Sequence, residues 1–163
     1  MTWTTRQRSD LNGLAAICAG TGPLVILLHG VGLCAEAWNA QTDHLVEHGF
    51  RVCAPDMPGH GYSQMRQVPS SVAEYADLVA PILTEPAIVV GHSMGAMIAM
   101  DLAYRRNLPV AGAVALNGIY QRSTAAKQAV RARAAALDVQ SAPDPTEPLK
   151  RWFGEAASPE REA

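Results

Sequence analysis

The chain has 163 residues, of which 48% are hydrophobic and 17% are charged, and its formal net charge is −2. This length suits one domain with a buried core, and the composition excludes a disordered chain and a basic surface that attracts nucleic acid. No apolar stretch approaches the roughly 20 residues of a membrane span, and residues 1–10 hold no apolar signal core. We therefore expect a cytoplasmic protein that binds neither nucleic acid nor membrane.

Short apolar runs alternate with longer amphipathic ones, an order typical of strands and helices in an α/β sheet. The turn signal at residues 10–13 predicts that the first two strands form an antiparallel pair. The third run is apolar throughout, as a strand covered on both faces should be. The predicted strands are residues 3–8, 14–19, 24–28, 50–54, 87–90 and 110–116.

Helices are predicted between these strands from caps and apolar spacing. The predicted helices are residues 36–47, 72–80, 94–106 and 122–137. Gly49 follows the first as a stop signal, and Ser71 with Glu74 forms a capping box before the second. Pro81 should end or kink that second helix near Ala80. A further helix start is predicted at residues 158–160.

The three cysteines, Cys18, Cys34 and Cys53, are odd in number and lie in apolar runs or at a loop edge. This pattern favours reduced, mostly buried thiols over a disulfide framework. Their spacing also matches no metal site.

The segment Gly91-His92-Ser93-Met94-Gly95 lies between the strand predicted at 87–90 and the helix that follows it. A serine between two glycines at such a turn predicts a nucleophile elbow, where the backbone is so tight that only glycine fits beside the serine. The hydroxyl of Ser93 is then pushed into the open. The sequence therefore indicates Ser93 as a candidate nucleophile.

Two other segments agree with this interpretation. His29-Gly30-Val31-Gly32 directly follows the strand predicted at 24–28, where a glycine-rich loop can aim a backbone N–H group at the serine. Residues 56–63 form a Pro/Gly-rich turn after the next strand, in which Asp56 should fix its own turn by accepting backbone N–H groups. In this order and spacing, the three segments resemble the N-terminal half of the α/β-hydrolase family over nearly all of residues 1–120.

The resemblance implies an α/β-hydrolase-type, mostly parallel twisted sheet and a serine hydrolase that works through an acyl-enzyme. Ser93 would be the nucleophile, and the N–H groups of Met94 and Val31 would form the oxyanion hole, with Gly32 as the alternative second donor. Serine at this position argues against the dehalogenase and epoxide-hydrolase branches, whose nucleophile is a carboxylate. The implied substrates are small esters, lactones or thioesters, or vinylogous diketones cleaved at a C–C bond, and no cofactor is implied.

The histidines do not complete the family pattern. His29 and His60 lie on loops near the predicted site, and Gly30 directly follows His29. The resemblance implies that these two histidines have structural roles or line the wall of the substrate pocket. His92 adjoins Ser93 and cannot fold back onto it across so tight a turn. The family places its catalytic acid and then its catalytic histidine after the serine, but no histidine follows Ser93 in this sequence. Residues 116–118 also lack the acid that some relatives carry at the end of the sixth strand.

These departures predict a chain that is cut short after about six strands. We expect residues 1–120 to form the N-terminal part of a hydrolase core and residues 121–163 to form the start of a helical cap. An apolar edge at residues 110–116 would then be exposed to self-association. Two alternatives stay open at this point. The chain could be a catalytically inactive binding protein, or a half whose base comes from a second chain.

Overall fold

A computed structural model describes residues 6–65 and 69–135, together with Thr146, Lys150 and Gly154. The chain divides into two compact units, residues 4–120 and the remainder. The assignment of these parts as a hydrolase core and a cap stays a prediction. No helix in the described ranges is long and apolar enough to cross a bilayer.

The larger unit is built on a six-stranded sheet with the order β1-β2-β4-β3-β5-β6. Its strands are β1 (Ser9–Leu11), β2 (Leu14–Ala19), β3 (Leu24–Leu28), β4 (Arg51–Pro55), β5 (Ala87–His92) and β6 (Val110–Leu116). The last four strands run parallel, whereas β1 and β2 form an antiparallel start. The predicted α/β class and its mostly parallel sheet are therefore confirmed.

The bounds of β2, β3 and β6 are those predicted, and β4 and β5 differ by one or two residues. The first strand was predicted wrongly at 3–8, of which residues 3–5 lie outside the described ranges. The strand begins at Ser9 and ends at Leu11, because Asn12 and Gly13 take positive φ angles of 56° and 86° in a two-residue hairpin turn.

Four α-helices accompany the sheet: α1 (Asn39–Glu47), α2 (Val72–Val79), α3 (Met94–Tyr104) and α4 (Thr124–Ala135). The helix predicted from residue 36 begins with a 3₁₀ turn at Ala35–Trp38. Ser71 caps α2 by accepting the Glu74 N–H group at 3.2 Å. As predicted from Pro81, α2 ends at Val79 and continues only as a 3₁₀ turn. The end predicted for the fourth helix, at 136–137, and the start at 158–160 lie outside the described residues.

The core occupies both faces of the sheet, which explains why β3 is apolar at every position. Leu24, Ile26 and Leu28 belong to the cluster that also holds Ile98 and Leu102 of α3. Val25 and Leu27 belong to a second cluster, with Trp38 and Ala35. All five side chains of β3 are buried, so the strand is fixed in the middle of the sheet. The loop that follows it is thereby held at the carboxyl edge of the parallel strands.

Candidate active site

Ser93 lies between β5 and α3 with φ 54° and ψ −111°. A positive φ in a residue other than glycine is a strained conformation that costs of the order of 1–3 kcal/mol and persists only when its surroundings enforce it. Its N–H group donates to Leu116 O at 2.9 Å, and its carbonyl accepts the Met97 N–H group at 3.3 Å. The turn is therefore anchored to β6 on one side and to α3 on the other.

The two glycines of the turn are required by close packing rather than by unusual φ angles. A Cβ atom on Gly91 would lie 2.0 Å from Gly95 O, and one on Gly95 would lie 2.1 Å from Leu28 O. No side chain fits at those distances. The first turn of α3 therefore packs directly on the backbone of β5 and β3, which is the steric reason for the Gly-x-Ser-x-Gly spacing.

The loop after β3 lies beside Ser93. A Cβ atom on Gly30 would be 3.1 Å from Ser93 Cβ and 3.2 Å from His92 Nδ1. Gly30 O accepts the Leu33 N–H group at 3.3 Å, which closes a tight turn around Val31 and Gly32. Val31 is 63% exposed and Gly32 has φ 77°. The structure therefore brings together Gly30 and Ser93, which are 63 residues apart in sequence.

Three backbone donors near this point are unused. Within the described ranges, the N–H groups of Val31, Gly32 and Met94 donate to no protein acceptor. Met94 is the first residue of α3, where the helix leaves N–H groups without intrahelical partners and carries the positive end of its dipole. Such donors can stabilise an oxygen that gains negative charge in a transition state.

His29 is completely buried, and both of its ring nitrogens are engaged. Nδ1–H donates to Gly30 O at 2.8 Å, and Nε2 accepts the Met57 N–H group at 2.9 Å. Burial lowers the pKa of this imidazole below its ordinary value, so the ring is neutral. His29 therefore joins the loop after β3 to the turn after β4 and has no nitrogen left to act on Ser93.

The other two histidines near the site do not reach the serine hydroxyl either. His60 lies edge-on to His29, with ring centroids 5.2 Å apart, and Nδ1–H donates to Pro58 O at 3.1 Å. His92 is half-buried at the end of β5. Among the described residues, no imidazole is hydrogen-bonded to the Ser93 hydroxyl.

Asp56 fixes the turn after β4, as its position predicted. Its buried carboxylate accepts the N–H groups of Tyr62 at 3.0 Å and Ala35 at 2.7 Å. It also accepts Arg8 Nε at 2.8 Å. With these partners Asp56 is a structural anchor for the loop that carries Ala35, and it makes no contact with the Ser93 hydroxyl.

Arg8 and Glu36 complete this anchor and were missed by the sequence analysis. The Arg8 guanidinium makes a two-pronged contact with the Glu36 carboxylate, with one nitrogen 2.7 Å from Oε1. This pairing lowers the pKa of Glu36 to about 2. The local sequence does not identify Arg8 as the partner, because the contact joins residues 28 positions apart. The apolar neighbours of Glu36 indicate only that its carboxylate is buried and needs a partner.

One group of metal-ligand type occurs in the described parts of the chain, formed by Cys34, Glu36 and Asp56. Both carboxylates are already bound to Arg8. Burial and the nearby Glu36 raise the pKa of the Cys34 thiol to about 11, so it is not the thiolate that a metal prefers. This cluster is a buried ion pair beside a thiol.

Comparison with known proteins places these features in context. The model of the alpha/beta hydrolase family matches residues 25–162. An (E)-2-((N-methylformamido)methylene)succinate hydrolase from Acinetobacter baylyi is 37% identical over 141 residues, covering 84% of this chain and 53% of that protein. A pimeloyl-[acyl-carrier protein] methyl ester esterase from Aromatoleum aromaticum is 39% identical over 89 residues, covering 55% of this chain and 34% of the esterase.

A solved structure gives the same result. The crystal structure of a hydrolase from Pseudomonas aeruginosa superposes with a TM-score of 0.74 and 27% identity, covering 91% of this chain and 60% of that one. The chain spans about half the length of the Acinetobacter hydrolase and about a third of the esterase. With its mixed six-stranded sheet and its serine turn at the carboxyl edge, the chain belongs to the alpha/beta hydrolase family.

Proposed function

We propose that this chain supplies the nucleophile and the oxyanion hole of a serine hydrolase that acts on small carboxylic acyl substrates. Ser93 Oγ attacks the acyl carbon, and an acyl-enzyme forms and is then hydrolysed. The N–H groups of Met94 and Val31 stabilise the oxyanion, with Gly32 as the alternative to Val31. His29, Gly30, His60 and His92 form the surroundings of the reacting group, and no cofactor takes part.

The observation that carries this proposal is the strained backbone of Ser93 beside the Gly30 loop. Strain of this kind clusters at sites where geometry matters for chemistry. The close approach of Gly30 to Ser93 supports the proposal, because the residues that carry the unused N–H groups adjoin these two positions in sequence. One such donor typically contributes about 2.7–4 kcal/mol to transition-state stabilisation. The arrangement therefore supports acyl transfer.

The general base is proposed to come from polypeptide outside these 163 residues. A base must lie within about 3 Å of the hydroxyl proton, and the rings of His29 and His60 are held in other contacts. Either a continuation of the same chain or a second chain could bring it. This requirement follows from the chemistry of a serine nucleophile, whose hydroxyl is weak without an adjacent base.

The names of the relatives support the substrate class. One relative is a methyl ester esterase, which favours esters, and lactones and thioesters share the same acyl chemistry. The relative with the more extensive match is named as a hydrolase of an amidomethylene succinate. This favours a second candidate, the hydrolysis of a small dicarboxylate that carries an N-acyl group, through the same attack by Ser93.

The test uses imidazole from solution in place of the proposed external base. The 163-residue chain would be mixed with p-nitrophenyl acetate and increasing imidazole, and the release of nitrophenol compared with that of imidazole alone. We expect an excess rate that depends on imidazole, is lost in Ser93→Ala and is unchanged in Ser9→Ala, a serine exposed on β1. An excess rate that survives Ser93→Ala would overturn the proposal.

The same assay distinguishes the inactive alternative. A binding protein without catalytic function should show no excess rate at any imidazole concentration. If the excess rate appears, replacing the acetate ester with an N-acyl aminomethylene succinate decides between the two substrate classes.

A further inference from the structure

Cys18 and Cys53 face each other across two neighbouring strands of the sheet. Cys18 lies on β2 and Cys53 on β4, and they are direct partners in the antiparallel register. Their Sγ atoms are 2.6 Å apart. No bond joins them in this structure; Cys53 is buried as predicted, whereas Cys18 is exposed, so the prediction of a buried thiol was wrong for Cys18.

Cys18 and Cys53 occupy a non-hydrogen-bonded position of the antiparallel ladder, where facing side chains are closest. Asp56 donates its N–H group to Ala15 O at 2.8 Å, which makes Ala15 and Asp56 a hydrogen-bonded pair of the same register. Pair types alternate along an antiparallel ladder, so Cys18 and Cys53 form a non-hydrogen-bonded pair. The Cα atoms of such a pair are about 4.5 Å apart, inside the range that a disulfide spans.

The two thiols differ in access to solvent. Cys18 is exposed at the sheet surface, whereas Cys53 is buried against the core. The contact with Cys53 lowers the pKa of Cys18, and the same contact together with burial raises the pKa of Cys53. Cys18 is therefore the thiol that reaches a reagent from solution and forms a thiolate more readily.

We propose that Cys18 and Cys53 are a redox-sensitive pair that closes to a cross-strand disulfide when a low-molecular-weight disulfide serves as oxidant. The Cys18 thiolate attacks one sulfur of the reagent, forms a mixed disulfide and releases one thiol. Cys53 then loses its proton and attacks Cys18 Sγ, releasing the second thiol. Two cysteine thiols are oxidised, and one small disulfide is reduced to two thiols.

The bond would secure the part of the fold that carries the candidate active site. The closed ring would contain residues 18–53, including all of β3 and the Gly30 loop. Beyond Cys53, β4 leads to Asp56 and Met57, which hold the Ala35 turn and His29. Closing a ring of this size should raise the melting temperature by roughly 5–10 °C.

The test begins with the Cys34→Ser variant. Trypsin cuts after Arg8 and Arg51, so one peptide of the natural chain contains both Cys18 and Cys34. Replacing Cys34 leaves a single pairing within one molecule. After treatment of the folded variant with glutathione disulfide, peptide mapping without reduction should show the two peptides joined, with no reactive thiol left. The melting temperature should rise and should return to its first value on reduction.

The Cys18→Ser variant is the matched control, because the exposed side chain can be replaced without opening the core. It should form no intramolecular bond and show no rise in melting temperature. The proposal is overturned if folded Cys34→Ser keeps both thiols reactive under the oxidant. It is equally overturned if the oxidised product is a dimer linked between molecules, or a stable mixed disulfide on Cys18.

Discussion

Gly30 lies so close to Ser93 that a Cβ atom on the glycine would be 3.1 Å from the serine Cβ. The glycine loop after β3 and the turn after β5 are therefore in direct contact, with no side chain between them. Because Gly30 O also accepts from His29 and Leu33, a change at Gly30 moves the whole loop. The spacing between the hydroxyl and its candidate oxyanion donors depends on this contact.

Gly30→Ala should lower the imidazole-supported acylation of Ser93 by about 10-fold while leaving the fold intact. The added methyl group pushes the loop away by a few tenths of an ångström, and small misplacements of reacting groups carry large rate costs. The measurement is the excess nitrophenol release. Gly112→Ala is the control, since a Cβ atom there meets nothing within 4 Å. An unchanged rate in Gly30→Ala would contradict a role for this loop.

Gly95→Ala should destabilise the protein by about 2–4 kcal/mol, because the new methyl group would collide with Leu28 O at 2.1 Å. Neither backbone can yield without separating α3 from β3. Urea unfolding followed by circular dichroism measures the change against Gly112→Ala. Equal stability of the two variants would show that the elbow packing is looser than the distances indicate.

Arg8→Met should cost about 3–5 kcal/mol of unfolding free energy, since it leaves the Glu36 and Asp56 carboxylates buried without their cation. Arg6→Met is the matched control. Arg6 pairs with the exposed Asp43, and exposed pairs contribute less than about 1 kcal/mol. Urea unfolding of both variants at neutral pH makes the comparison. Similar small losses of unfolding free energy in both variants would mean that the contacts of Arg8 with Glu36 and Asp56 do not stabilise the fold.

The stability contribution of Glu36 should also depend on pH. Its pKa is lowered from 4.5 to about 2 by Arg8, so the contribution is fully present above pH 4.5 and is lost as the pH falls towards 2. The loss amounts to about 3 kcal/mol. Arg8→Met should flatten this part of the stability profile. A wild-type profile that is already flat between pH 4.5 and 2 would contradict the assigned pairing.

Val114→Lys should reduce self-association of the chain. β6 is an edge strand, and its Val114 and Leu116 side chains are 43% and 42% exposed. A lysine on an edge strand disfavours pairing between sheets. Sedimentation velocity at several concentrations measures the effect. Tyr104→Lys is the control, because that exposed side chain lies at the end of α3 and not on the edge strand. An equal reduction by both variants would exclude the edge as the contact.

The sequence predicted those elements whose residues carry the signal locally. β3 and β6 were placed correctly because each is a short apolar run bounded by turn residues, and α2 because Ser71 and Pro81 mark its two ends. The Ser93 turn is predictable because a nucleophile elbow requires glycine at the two positions where its backbone segments are in close contact. These features depend on neighbouring residues and so appear in a single sequence.

Features that join distant residues were not predictable in the same way. Arg8 was placed in the first strand, because its capture by Glu36 and Asp56 depends on the folded chain. The hairpin rule for Asn12 and Gly13 would have ended that strand at Leu11 if applied strictly. The pairing of Cys18 with Cys53 depends on register, which the apolar pattern of β2 and β4 leaves undetermined. The general base has no candidate among the described residues in contact with the Ser93 hydroxyl.

The most direct test of the central proposal is to locate the acyl group by peptide mass spectrometry during imidazole-supported turnover of p-nitrophenyl acetate. The account predicts one acetyl group on Ser93 that forms before nitrophenol release becomes linear and disappears when the ester is exhausted. Ser93→Ala should lack it, while Ser9→Ala retains it. An acetyl group found only on lysine or tyrosine side chains, at equal levels in both variants, would contradict the assignment of Ser93 as the nucleophile.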